Sequence, residues 1–181
     1  MLSFRPPQID FTVERRLSAK WIGRPDSIRA RRRYNLDHVT AVVGRGAYGF
    51  TTAREAVGRW DMARQGWVHV QPEHPEMTLD NQVAVVANIG PLWSTSICMI
   101  TSVEQSPSRF SMSYGTTNDH IEKGEERFEV ALHDNGDVVF SITAVSRPAR
   151  WWAWLGYPLV RMSQARFRRG AIKAIKAAVQ K

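Results

Sequence analysis

"VVGRGAYGFTTAREAV", residues 42–57, decides between two folds. Gly44, Gly46 and Gly49 make a literal G-x-G-x-x-G between a strand-like run and a helix-like one. In a dinucleotide-binding fold such glycines admit a pyrophosphate to the backbone, and a helix starting inside the motif points N–H groups at it. Here Thr52 and Glu55 read as a capping box, which starts the helix beyond the last glycine and removes those N–H groups from the loop. A dinucleotide site also needs a parallel strand-helix-strand unit, so the rest of the chain settles the matter.

Downstream of residue 82 the hydrophobic period is two. Strands are predicted at 82–90, 93–103, 109–116, 125–133 and 137–146, each with one apolar face, for example Phe110, Met112 and Tyr114 or Val138, Phe140, Ile142 and Ala144. Asn135-Gly136 marks a tight hairpin between the last two. Upstream, Val39 to Gly44 reads as a strand, Ala53 to about Gln65 as a helix, and "GWVHVQ" as a short strand before the Pro-rich loop 72–81. After Arg147-Pro148 the pattern is helical to the end, interrupted near Gly156 and Pro158, with Leu155, Leu159, Met162, Ile172, Ile175 and Val179 as its apolar residues.

The order is strand, helix, six consecutive strands and a long final helix. Consecutive antiparallel hairpins with helices at the ends define an α+β fold. The glycine motif is then a turn feeding a helix packed closely on the sheet. A curved seven-stranded antiparallel sheet must cover its apolar face, and the long C-terminal helix is the only large element available to do so.

At 181 residues with 43% hydrophobic side chains, one domain is expected over 1–181, with 1–35 as an irregular basic N-terminal arm packed on it. Cys98 is the only cysteine, which excludes an internal disulfide and multi-cysteine metal patterns and fits a reducing, cytoplasmic setting. The N-terminus has no apolar leader, and the longest uncharged apolar run, Trp151 to Val160, is half the roughly 20 residues that span a bilayer.

The net charge of +8 is unevenly placed. Residues 1–33 carry +6, 34–137 carry −7, and 138–181 carry +9 without a single acid. Such a basic end attracts nucleic acid, anionic lipid or an acidic partner, or complements the chain's own acidic middle. Nucleic acid is not expected, because no aromatics interleave with the cations on a sheet face. Trp151, Trp152 and Trp154 ahead of a basic helix permit peripheral membrane contact, although a gripped helix uses the same residues.

Two polar clusters stand out. "HVQPEHPE" holds His69, Glu73, His74 and Glu76, but its prolines forbid a helical metal-binding pair, and no metal or cofactor is expected. "YGTTNDHIEKGEERF", residues 114–128, gathers Asp119, His120, Glu122, Glu125 and Glu126 between two strands. Tyr114 and Glu126 share parity with apolar neighbours, so both are expected to point inward and to need partners.

Three segments resemble uncharacterised protein family 0548, a family of bacteria and plants whose activity is unknown. They are "GRGAYGFTTAREAVGRW", "YGTTNDHIEKGEERFEV" and "DNGDVVFSITAVSRPARWWAWLGYPLVRMSQ", with hallmarks at Tyr114-Gly115-Thr116, His120, Gly124-Glu125-Glu126 and Ser146-Arg147-Pro148-Ala149. The resemblance implies a helix-grip fold similar to the START and birch-pollen-allergen superfamily, with an apolar cavity between sheet and final helix.

The leading expectation is therefore a protein that binds a small apolar or amphipathic molecule in such a cavity. Candidate binding residues are Tyr114, His120, Glu126, Ser146, Arg147 and Arg161, either arginine being suited to an acidic headgroup. The alternatives are a helix-grip enzyme of cyclase, dehydratase or hydrolase type with His120 or Glu126 as acid/base and Tyr114 as donor, and a peripheral binder acting through the basic helix.

Overall fold

The structure is a computed structural model that describes residues 2–17, 34–118, 122–148 and 157–181. Its elements are β1 (Leu2–Ser3), β2 (Asn35–Arg45), α1 (Gly46–Gly58), a 3-10 turn (Asp61–Ala63), β3 (Val68–Gln71), β4 (Gln82–Ile89), β5 (Leu92–Ser106), β6 (Arg109–Thr116), β7 (Glu122–Leu132), β8 (Asp137–Pro148) and α2 (Tyr157–Val179). The sheet order is β2-β8-β7-β6-β5-β4-β3, antiparallel at every step, with β1 pairing beside β5. It is a curled half-barrel of seven strands around the C-terminal helix. Register shifts at Val42/Gly44 and Ile100/Ser102 are bulges, which add bend to a sheet.

The inner face follows the period of two. Val83, Cys98, Ile100, Met112, Phe128, Val130, Phe140 and Ile142 are all essentially inaccessible, and α1 closes one end with Phe50, Ala53, Ala56 and Val57. Burial of about 1.5–3 kcal/mol per large apolar side chain makes this face the principal stabilising layer. Phe128 is its centre, with the rings of Tyr114, Phe140 and Phe167 at centroid distances of 5.7, 6.3 and 6.4 Å.

The glycine motif departs from the sequence reading in one respect. Helix α1 begins at Gly46, inside the motif, and no side chain caps it. Gly46 has a φ of +67°, which lets the chain turn from strand to helix in one residue, and its N–H donates to the Gly136 carbonyl at 2.8 Å. Thr52 lies within the helix, its hydroxyl donating to the Tyr48 carbonyl four residues back at 3.0 Å. The capping-box argument against a nucleotide site therefore falls, while the argument from antiparallel topology holds. Gly44 serves contact: a Cβ there would sit 2.6 Å from Cγ1 of Val179 near the end of α2.

Helix α1 ends at Gly58, not near Gln65, because buried Trp60 takes a left-handed φ of 62° and donates Nε1–H to the Pro75 carbonyl at 3.2 Å. The Gln65 side chain then donates to the carbonyls of Met62 and Phe167 at 2.7 and 2.9 Å, tying this corner to α2. Residues 2–17 run along the sheet, with hydrogen bonds from Gln82 to the Val13 carbonyl, from Arg15 to the Gln82 side chain, and from the Asn118 amide to the Arg16 carbonyl.

Helix α2 places its residues differently from the apolar pattern. Ala171 and Ile175 are fully buried, but Leu159 and Met162 are 66% and 67% exposed. They head an outward stripe that continues through Arg166, Arg169, Lys173 and Lys176, all exposed. Leu155, Trp151, Trp152 and Trp154 lie outside the described residues.

Candidate functional site

The inner face of α2 over 160–168 does not close on the sheet. A partly open pocket of ≈ 210 Å³ separates them. Trp67, Val85, Ile89, Val160 and Phe167 give it apolar walls. Tyr114, Glu126, Ser146, Gln164 and Arg168 add polar ones.

Strand register explains the polar set. Ile100, Tyr114, Glu126, Ala144 and Asp37 are successive cross-strand partners, so they form one row over β5, β6, β7, β8 and β2. Directly opposed side chains touch, and the Tyr114 hydroxyl donates to Oε2 of Glu126 at 2.6 Å. Ala144 leaves a gap in the row, and Asp37 closes it on the far side. There Asp37 accepts a bidentate pair from Arg161, Nη2 to Oδ1 at 2.7 Å and Nη1 to Oδ2, while Nη1 of Arg168 lies 3.3 Å from the same Oδ2.

Charge states follow from these surroundings. The hydrogen bond from Arg161 holds the Asp37 carboxyl below its ordinary value against the opposing effect of burial, with the charge of Arg168 assisting. Burial first, then the Glu126 charge, raise the Tyr114 phenol well above its ordinary value. The same two causes, in the same order, push the Cys98 thiol up. Both groups are thus neutral and protonated near pH 7: Tyr114 is a hydrogen-bond donor, and Cys98 is not a thiolate nucleophile. Among the described residues no cluster of three His, Cys, Asp or Glu is placed to hold a metal ion.

Of the residues singled out from sequence, Tyr114, Glu126 and Ser146 line the pocket together. Arg161 is engaged with Asp37 beside it. Arg147 has the opposite parity on β8 from Ser146, and its guanidinium stacks over the Tyr34 ring at 4.9 Å with a buried Nε that has no partner. His120 lies outside the described residues. Sequence reasoning missed Asp37 and Arg168. Asp37 shares parity with Val39, Ala41 and Val43, a signal hidden by starting the strand at Val39. Arg168 lies four and seven residues from Gln164 and Ile175 on one helical face, where a cation among apolar positions passes for solvated.

A half-barrel that wraps a C-terminal helix and leaves a pocket beneath it defines the helix-grip class. Solved structures share this fold at low identity: a hypothetical protein of Helicobacter pylori (TM-score 0.57, 8% identical, 80% of this chain and 86% of that one) and norcoclaurine synthase from Thalictrum flavum (0.53, 9%, 82% and 87%). Ara h 8.0201 also matches (TM-score 0.50, 12% identical, 81% of this chain and 98% of that one). The chain belongs to the family described as a domain of unknown function, DUF1990, which matches residues 24–174. Its relatives include UPF0548 proteins of Arabidopsis thaliana (30% identical, 77% of this chain and 71% of that protein) and Dictyostelium discoideum (29%, 74% and 68%).

Proposed function

We propose that this protein binds a small amphipathic molecule in the pocket between α2 and the sheet. The observation that carries the reading is the lining itself: a mostly apolar wall with a few convergent polar groups, which is the usual composition of small-molecule sites. Native mass spectrometry of freshly purified protein tests it. The expected result is a reproducible extra mass that vanishes on denaturation and is lost in Ala144→Trp, where an indole fills the gap between Glu126 and Asp37. A mass unaffected by that substitution would place the ligand elsewhere. An enzymatic role here would use Glu126 as acid/base, or His120, which lies outside the described residues, with the neutral Tyr114 phenol as donor.

The outward stripe of α2 favours a second reading, peripheral contact with an anionic lipid surface. Two exposed apolar side chains followed by four cations, in a segment without acids, match an apolar-plus-basic interfacial helix. Cosedimentation with phosphatidylglycerol vesicles, absent with phosphatidylcholine alone and weakened by salt, is the expected result. Equal binding to neutral vesicles, or none to either, would end this reading.

A further inference from the structure

We propose that the pocket's occupant is an organic acid, an apolar body with one terminal anionic group that pairs with Arg168; this rests on reading the pocket as a binding site. Arg168 is a charged side chain only 9% exposed, and it borders the pocket. A guanidinium carries five N–H donors, and among the described residues the one ion-pair contact of Arg168 is the 3.3 Å approach to Oδ2 of Asp37. Asp37 already meets the fork of Arg161 with both oxygens. None of the Arg168 nitrogens is sealed off without a partner, so the donors that Asp37 does not take reach open space, and the open space beside Arg168 is the pocket.

Among the described residues no second carboxylate forms an ion pair with Arg168. From Val138 to Lys181 there is no acid, so α2 supplies no carboxylate side chain, and the one acid of β8, Asp137, lies at the far end of the strand and pairs with Arg45 at 3.0 Å. Of the two pocket glutamates, Glu125 accepts from the Thr101 hydroxyl at 2.8 Å, and Glu126 sits two strands from Asp37 across Ala144, roughly 10 Å by strand spacing; among the described residues neither forms an ion pair with Arg168. The pocket is thus bipolar, cationic at the Arg168 end and anionic at the Glu126–Tyr114 end. An acid entering it is held at Arg168 by charge-assisted bonds and repelled from Glu126, which sets its direction. The apolar body then lies along Phe167, Val160, Val85 and Trp67.

Two probes with the same ring system separate the acid from the cavity. 8-Anilinonaphthalene-1-sulfonate carries an anion, N-phenyl-1-naphthylamine is neutral, and both fluoresce when buried. The wild-type protein is expected to bind both, each displacing the other, with the sulfonate at least tenfold tighter. Arg168→Met should weaken the sulfonate by about tenfold to a hundredfold and leave the amine unchanged. Arg168→Lys keeps the charge without the fork; an intermediate loss is expected, and it carries the test if Arg168→Met shows no cooperative unfolding transition. Arg45→Gln, an exposed arginine at the opposite end of β2 from Asp37, should change neither probe.

Equal wild-type affinity for the two probes, or sulfonate binding that ignores both Arg168 substitutions or falls as far in Arg45→Gln, overturns the acid and leaves the cavity reading standing. Binding of neither probe by the wild-type protein overturns both.

Discussion

The two halves of α2 face the same sheet and meet it differently. From Ala171 onward the helix packs as core: Ala171 and Ile175 are inaccessible, and Val179 approaches β2 so closely that only a glycine fits at position 44 without displacement. Over 160–168 the inner side chains are Val160, Ser163, Gln164, Phe167 and Arg168, and a pocket lies between them and the strands. Protein interiors fill to crystal-like density wherever apolar shapes interdigitate. Ser163, Gln164 and Arg168 are polar and take polar partners, Arg161 for Gln164 and Asp37 for Arg168, where the other half of the helix presents apolar side chains to the sheet. Position along one helix separates a half packed as core from a half that borders a pocket.

Truncation measures that contrast most directly. Ile175→Ala is expected to cost about 3 kcal/mol in urea unfolding, the loss typical of a large aliphatic side chain from a packed core. Val160→Ala, bordering the pocket, should cost less than about 1 kcal/mol. Equal costs would mean that the two halves are packed alike.

A smaller effect, about 2 kcal/mol, is expected for Asp37→Asn, which removes the carboxylate that holds Arg161 and Arg168. Its pH dependence has a definite sign. Because the folded-state value of Asp37 is lowered, its contribution is complete above the ordinary carboxyl value of 3.8 and disappears as pH falls through the folded value. The gap between wild-type and Asp37→Asn stability should therefore close in acid. A gap that stays constant down to pH 2 would show that the lost stability does not come from the ionised pair.

The smallest effect concerns the outward face. Leu159→Gln with Met162→Gln should change stability by less than about 0.5 kcal/mol, since both side chains are already solvated, while weakening any binding to phosphatidylglycerol vesicles. A loss of several kcal/mol would place the two residues in the core.

That last pair shows how far the fold is legible. Strand positions from 82 to 148 could be read within a few residues, because a sheet buried on one face imposes period two on every strand and Asn135-Gly136 fixes the tightest hairpin. Helix starts were harder. Gly46 begins α1 because the fold brings the Gly136 carbonyl to its N–H, a long-range contact that no local signal announces. Tyr114 and Glu126 were each legible as inward-pointing by parity, while their pairing follows from strand register, and Asp37 and Arg168 declare themselves only where strand β2 and helix α2 converge.

By itself, the sequence determined the architecture: alternating strands, one tight hairpin, a long final helix and an acid-free basic end. These are local properties, set by side-chain period and turn chemistry. Tertiary packing settled which face of α2 turns inward: Leu159 and Met162 are exposed, whereas Val160 and Phe167 border the pocket. It decided likewise that Arg161 is engaged by Asp37 and that Arg168 borders the pocket. The reason is that one carboxylate between two guanidiniums is a matter of register and distance, which composition does not contain.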